Sequence, residues 1–333
     1  MGVAAEEAWI RKEHHPMAQK RSRSLAVHSN LIALVMLVGA TEQLKADYLF
    51  TTIDVPGANS TGAFKINNAR QIVGSYSAGS ADHGYLLSGN SLLTFDVPGS
   101  TAYTEANGIN ASGQIVGWYN PDTSGSTRGY LLSGASYTTF DVPGANSTGP
   151  NAINASGQIA GWYNDGAATH GFLLRAGSYT RLDVPGSIQT DARGINDAGQ
   201  IVGTYFAGRT DHGYLLSNGI YTTLDVPGAT DTYVDGINDS GQIVGGYYDG
   251  TTFHGFLLSN GVYTTLDVPG HAITTASGIN DAGEIVGEYQ DAAGVGAHGF
   301  LATPTPEPST LLLLGIGILG LIRSTWRRRK ERA

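Results

Sequence analysis

His254 and Asp267 stand thirteen residues apart, and the same spacing recurs in His83 and Asp96, His170 and Asp183, and His212 and Asp225. Arg128 takes the histidine's place before Asp141. An imidazole beside a carboxylate can bind a metal, move a proton or latch two strands together. The intervening residues decide between these. Asn260-Gly261 reads as a two-residue hairpin turn. Counting outward from it, Ser259 faces Val262, Leu258 faces Tyr263, Phe256 faces Thr265 and His254 faces Asp267. Directly opposed residues share one sheet face. Each pair is therefore expected to form a rung across a hairpin. His298 has no Asp after it and Asp54 has no His before it, so these two would pair if the chain closes on itself. One His and one Asp per unit is too few for a closed metal site, and ligands in separate units lie too far apart for the ~2.0–2.2 Å bonds of zinc. The six rungs are expected to be structural, with no metal and no cofactor.

Other chemistry is sparse. The chain has no cysteine, no Gly-x-Ser-x-Gly elbow and no His-Glu-x-x-His. Asn238-Asp-Ser-Gly241 lacks the alternating carboxylates and closing Glu of a calcium loop. Asp231 and Asp235 form a carboxylate pair suited to acid–base work. His271 and Glu105 are each unique within their repeat. Trp118 and Trp162 are either blade core or stacking surfaces. Asp231, Asp235, His271, Trp118 and Trp162 are the candidate ligand contacts, and no catalytic residue is singled out.

The elements that position these residues are repeats. Asp-Val-Pro-Gly begins at Asp54, Asp96, Asp141, Asp183, Asp225 and Asp267, in steps of 42, 45, 42, 42 and 42 residues. An Ile-Asn pair follows each copy, from Ile66-Asn67 to Ile279-Asn280. Then come a Gly turn, Ile-Val-Gly-x-Tyr or a close variant, and His-Gly-Tyr/Phe-Leu-Leu. A period near 42 with four short strands predicts an all-β, six-bladed propeller over residues 47–303. The first strand lacks its hairpin partner and the last lacks its successor. The ring is therefore expected to close by pairing of the N-terminal strand with the last repeat, leaving no exposed edge. A linear solenoid would not need such matching half-units. Strand alternation puts both constant turns on one face and both variable stretches on the other. Those stretches read as loops: Ala58–Phe64, Ser100–Asn107, Ser187–Arg193, Ala229–Asp235 and His271–Ser277, with Asn120–Thr127, Asn164–Thr169 and Asp291–Ala297 as a second set.

Charge is unevenly placed. Residues 47–306 carry 7 Lys/Arg against 22 Asp/Glu, a balance of about −15. So acidic a body excludes nucleic acid as a partner and is repelled by anionic lipid. Cations, neutral glycans and cationic partners stay open. The basic residues sit at the ends. Lys20, Arg21 and Arg23 precede the apolar run Leu31–Ala40 and then small residues, the order of a secretory signal within 1–46. Met17 is a second candidate start. Pro306-Glu307-Pro308 precedes the apolar Leu311–Ile322 and a basic end from Arg323 to Arg332. Twelve apolar residues are short for a permanent anchor.

This tail, residues 304–333, resembles the PEP-CTERM sorting signal of Gram-negative bacteria. The resemblance implies an exosortase-type sorting enzyme and the secretion machinery as partners. It also implies processing near Pro306–Pro308, transient anchoring in the inner membrane only through the tail, and release to the cell surface or extracellular matrix. The repeats resemble the HAF family of extracellular repeats, with its Gly-Ile-Asn-x-x-Gly-x-Ile-Val-Gly and His-Gly-Phe-like segments, a family that implies no activity. Arg128-Gly129-Tyr130 and Lys65–Arg70 depart from the pattern. The expected function is a non-enzymatic surface or matrix protein that binds extracellular polysaccharide through its variable face. A glycan hydrolase or lyase on the same scaffold is the alternative, and a pure spacer a third reading.

Overall fold

The computed structural model describes residues 48–291 and 296–305. The signal segment within 1–46 and the sorting residues Pro306, Glu307 and Pro308 lie outside them. Twenty-four strands form six four-stranded antiparallel sheets arranged as the blades of a propeller, and the described residues contain no helix. Strand β1 is Tyr48–Ile53. Blade one is β2 (Ser60–Ile66), β3 (Gln71–Ala78), β4 (Ala81–Ser88) and β5 (Ser91–Phe95). Blade two is β6 (Thr104–Ile109), β7 (Ile115–Tyr119), β8 (Arg128–Ser133) and β9 (Ser136–Phe140). Blade three is β10 (Ser147–Ile153), β11 (Ile159–Asn164), β12 (Thr169–Arg175) and β13 (Ser178–Leu182). Blade four is β14 (Gln189–Ile195), β15 (Ile201–Ala207), β16 (Thr210–Ser217) and β17 (Ile220–Leu224). Blade five is β18 (Asp231–Ile237), β19 (Ile243–Tyr248), β20 (Phe253–Ser259) and β21 (Val262–Leu266). Blade six is β22 (Ile273–Ile279), β23 (Ile285–Gln290) and β24 (Ala297–Pro304), and β1 supplies its outer strand, from Tyr48↔Pro304 to Ile53↔Gly299.

The core lies between blades. Val244, Leu257 and Leu266 of blade five pack with Ala276, Ile279, Ile285 and Phe300 of blade six in one buried cluster, and five similar clusters fill the other seams. The inner strands of a sheet are thereby covered on both faces, while outer strands such as Ser91–Phe95 stay exposed. The Asp-Val-Pro-Gly copies are the blade-to-blade connectors. The Val N–H donates to a buried Thr hydroxyl on the next inner strand in all six, for example Val184 to Thr190 at 3.1 Å and Val226 to Thr232 at 3.1 Å.

The innermost strand of every blade has a bulge. The register skips Phe64, Asn107, Asn151, Arg193, Asp235 and Ser277. Each skipped residue sits two positions before an Ile-Asn pair. A bulge leaves its extra residue outside the ladder and turns its side chain away from the sheet's alternation. The glycine of Ile-Val-Gly faces this irregularity. A Cβ on Gly203 would collide with the Asp191 carbonyl oxygen, so the close approach of the two strands requires glycine.

The stretches expected as loops Ala58–Phe64, Ser100–Asn107, Ser187–Arg193, Ala229–Asp235 and His271–Ser277 are corrected here. They run through β2, β6, β14, β18 and β22. This share of the variation therefore falls on strands that line the channel, while Asn120–Thr127 stays a loop between β7 and β8. The bulge breaks the period-two pattern that would have marked them as strands.

Candidate functional site at the channel mouth

At the constant-turn end of the channel, six asparagines form a closed ring. The Nδ2 of Asn67, Asn110, Asn154, Asn196, Asn238 and Asn280 each donates to the next blade's asparagine carbonyl, the last returning to Asn67, at 3.0–3.3 Å. Each Nδ2 also reaches the side chain four residues on, Gln in five blades and Glu284 in blade six. Arg70 of blade one closes this exception with an ion pair to Glu284 at 2.9 Å. Above the ring, Ile66, Ile109, Ile153, Ile195, Ile237 and Ile279 narrow the channel to a throat of ≈ 80 Å³.

Toward the opposite end the channel widens into a pocket of ≈ 360 Å³, within the usual range for a small-ligand site of ~300–1,000 Å³. The bulged residues line it, together with Lys65, Glu105, Trp118, Trp162 and Asp191. A second cavity of ≈ 270 Å³ adjoins it and shares Trp162, Asp191 and Arg193. Sixfold sameness ends here, because equivalent positions carry different side chains. Four residues before the Ile-Asn pair stand Gly62, Glu105, Gly149, Asp191, Tyr233 and Thr275. The cross-strand partners of Glu105, Gly149 and Thr275 are Trp118, Trp162 and Glu288. A Cβ on Gly149 would strike the indole of Trp162, so this glycine gives the ring its place. Gly62 likewise leaves room for the Glu288 carboxylate, which reaches across from blade six.

The charges are unevenly compensated. Arg193 donates to Asp191 and Asp235, both at 2.8 Å. Burial opposes the charge of Arg193, and these carboxylates outweigh it, so its pKa rises. Burial raises Asp191 despite Arg193. Lys65 spans the throat and donates to the carbonyls of Asp235 at 3.0 Å and Ser277 at 2.7 Å. Its burial lowers the amine to about 8. Glu105 and Glu288 have no ion-pair partner among the described residues. Burial lifts the Glu105 carboxyl to about 7, with Asp82 and Glu288 adding repulsion. Burial and Asp235 lift Glu288 to about 7.

The pocket gathers Trp118, Trp162 and Asp235 from among the candidates and omits two. Asp231 accepts the Asp211 N–H at 3.0 Å at the start of its strand. His271 packs its ring on Tyr289, 4.3 Å between centroids, with Nδ1 buried and unbonded. Glu288, Asp191, Arg193 and Lys65 were not singled out by their sequence. The signal available for Arg193 was the position two before Ile-Asn, which carries Phe64, Asn107, Asn151, Arg193, Asp235 and Ser277 in the six blades.

The rungs lie on the outer hairpins. The ladder ends at Gly255↔Leu266, and one step beyond it His254 Nδ1 lies 2.9 Å from Asp267. His83–Asp96, His212–Asp225 and His298–Asp54 are also at 2.9 Å, and His170–Asp183 is at 3.1 Å. Arg128–Asp141 is looser at 3.7 Å. Each rung histidine packs against the tyrosine that ends Ile-Val-Gly-x-Tyr or its variant, with centroids 5.1–5.2 Å apart. In blades three and five a second carboxylate joins, Asp165 at 3.2 Å from His170 and Asp249 at 3.3 Å from His254. Among the described residues no three His, Asp or Glu side chains gather into a metal-binding group.

Residues 304–329 match the model of the PEP-CTERM protein-sorting motif. The chain is an exported protein sorted by an exosortase. The signal directs sorting to the cell envelope in Gram-negative bacteria. No curated protein matches the chain by sequence. Among solved structures it is similar to a streptogramin B lyase at 14% identity, with 78% of this chain and 98% of that one covered and a TM-score of 0.45. It is similar to virginiamycin B lyase from Staphylococcus aureus at 10% identity, covering 77% and 99%, with a TM-score of 0.46. A Trypanosoma rangeli sialidase aligns at 9% identity over 85% and 61% of the two chains, with a TM-score of 0.47.

Proposed function

We propose that this envelope protein is a surface or matrix module that binds extracellular polysaccharide, holding sugar residues in the channel mouth. The observation that carries the reading is the pairing of Trp118 and Trp162 with amides and carboxylates around one pocket. Indole rings offer flat apolar surface to the C–H face of a pyranose. Asn107, Asn151, Asp191 and Glu105 offer donors and acceptors to its hydroxyls. The rigid propeller holds these groups without a cost of ordering loops.

Glu105, whose raised pKa Glu288 helps to hold, favours a second reading, in which the same pocket cleaves the glycan. A carboxyl poised near neutrality suits a general acid. Titration of the full-length protein in detergent with the producing bacterium's exopolysaccharide separates the two, with tryptophan emission, binding heat and polymer size followed together. Binding with unchanged polymer size, weakened by Trp118→Ala and Trp162→Ala, is the expected result. Shortening of the polymer would favour the enzyme, and unchanged emission and heat would refute glycan binding.

A further inference from the structure

Resting on the glycan reading, we infer that the pocket selects a cationic amino sugar, a pyranose with a free amine, over its neutral N-acetylated counterpart. Three observations converge. Every other carboxylate in the pocket is compensated, since Asp191 and Asp235 share Arg193. Glu105 and the nearby Glu288 face no cation, and Lys65 is held against the Asp235 and Ser277 carbonyls instead. A half-buried carboxylate that feels the repulsion of Asp82 and Glu288 and has no counter-charge gains from a ligand that supplies one. The second observation is aromatic. Glu105 is the direct cross-strand partner of Trp118. An ammonium between a carboxylate and an indole face gains both an ion pair and a cation–π contact. A bare metal ion would use the carboxylates and waste the rings, and the described residues offer no three-ligand cluster. The third is the field of the whole body, whose balance of about −15 draws cationic polymers and repels anionic ones.

The geometry also orders the sugar. Trp162 lies over Gly149 on the neighbouring blade and leaves a flat floor beside Glu105. A ring stacked there places its substituents toward Asn107 and Asn151, which hydrogen-bond hydroxyls and do not distinguish charge. Discrimination between amine and N-acetyl therefore falls to Glu105. An acetyl group removes the positive charge and adds bulk against a half-buried carboxyl that is left without a counter-ion.

The test is calorimetric titration of the full-length protein with two short oligomers of equal length, one of glucosamine and one of N-acetylglucosamine. Preference for the glucosamine oligomer by about tenfold or more is expected, the worth of one charge-assisted hydrogen bond. Glu105→Gln should reduce that preference to about twofold or less, and Trp118→Ala should weaken whichever oligomers bind. A melting curve of Glu105→Gln matching the parent checks that the fold persists. Equal affinities in the parent protein would overturn the amine preference and leave glycan binding standing. A preference that survives Glu105→Gln would overturn the assigned residue. Binding of neither oligomer, with the exopolysaccharide still bound, would overturn the amino-sugar assignment alone, and loss of all three would overturn the parent reading too.

Discussion

Replacing Asn196 by alanine should test whether the asparagine ring holds the propeller shut. Asn196 is 3% exposed. Its Nδ2 donates to Gln200 Oε1 at 2.9 Å and to the Asn238 carbonyl at 3.2 Å, and its Oδ1 accepts the Gln200 N–H at 2.9 Å. Each such bond is worth about 1 kcal/mol net, so the three together give about 3 kcal/mol. The Asn238 carbonyl keeps a second partner in the Gly241 N–H, which caps the loss. The Gln200 N–H keeps none among the hydrogen bonds here, which adds to it. For a domain of this size 1 kcal/mol moves the melting temperature by about 2–4 °C, so a fall of about 6 °C or more is expected. Circular dichroism melting of the full-length protein reads this. Asn196→Asp should do no better, because an oxygen in place of Nδ2 would face two acceptors. Asn280→Ala, at the seam with blade one, should cost as much as Asn196→Ala if the ring is continuous. A fall below about 2 °C in Asn196→Ala would refute the reasoning.

Arg70→Ala should lower the melting temperature by stranding the nearly buried Glu284, and adding Glu284→Gln should restore most of it, since Gln is what five other blades carry. Gly149→Ala should displace the Trp162 ring, shift its emission and weaken sugar binding with little loss of stability. Burial holds the Glu105 carboxyl near 7, with Asp82 and Glu288 repelling its charge and Asn107 hydrogen-bonded to it. Its charged form should therefore take over between about pH 6 and about pH 8, read as the carboxyl shift of Glu105 in an NMR titration. Burial disfavours charged His254, but Asp267 and Asp249 overcome this and raise its pKa. The stability it contributes is complete below its unfolded value of about 6.5 and is lost as pH rises through the folded one. An NMR titration of the His254 ring should show the raised pKa, and Asp249→Asn should reduce it.

The blades were legible because their chemistry repeats. Asp-Val-Pro-Gly, Ile-Asn and Asn-Gly fix a connector, an inner-strand end and a hairpin, and each recurs often enough to set the period. The hairpin register followed from Asn260-Gly261 alone, since a two-residue turn leaves no freedom in pairing. The channel was not legible. Arg193 and Asp235 sit where polarity and variation look like a loop, and only the bulge reveals a strand. The buried threonines Thr61, Thr148, Thr190, Thr232 and Thr274 stand at one fixed distance after the connector valine and give no sign of their partner. Arg70 and Glu284 each read as a departure from the repeat. Their meaning lies in the contact between them, across 214 positions of sequence, which no local pattern encodes.

The bulged residue belongs to no cross-strand pair, and this separates what the blade needs from what the channel displays. A change of the Ser277 side chain alters the lining and asks nothing of the ladder beside it. Where such a site is not tied to another, as Arg193 is to Asp235, a lineage can explore new specificities one substitution at a time, without the compensating repairs that a core position would demand. Descendants of one scaffold can therefore diverge in what they hold while their walls stay the same. Comparison among such proteins should find the greatest diversity at the innermost radius of the wheel, the reverse of the pattern in proteins that recognise through surface loops.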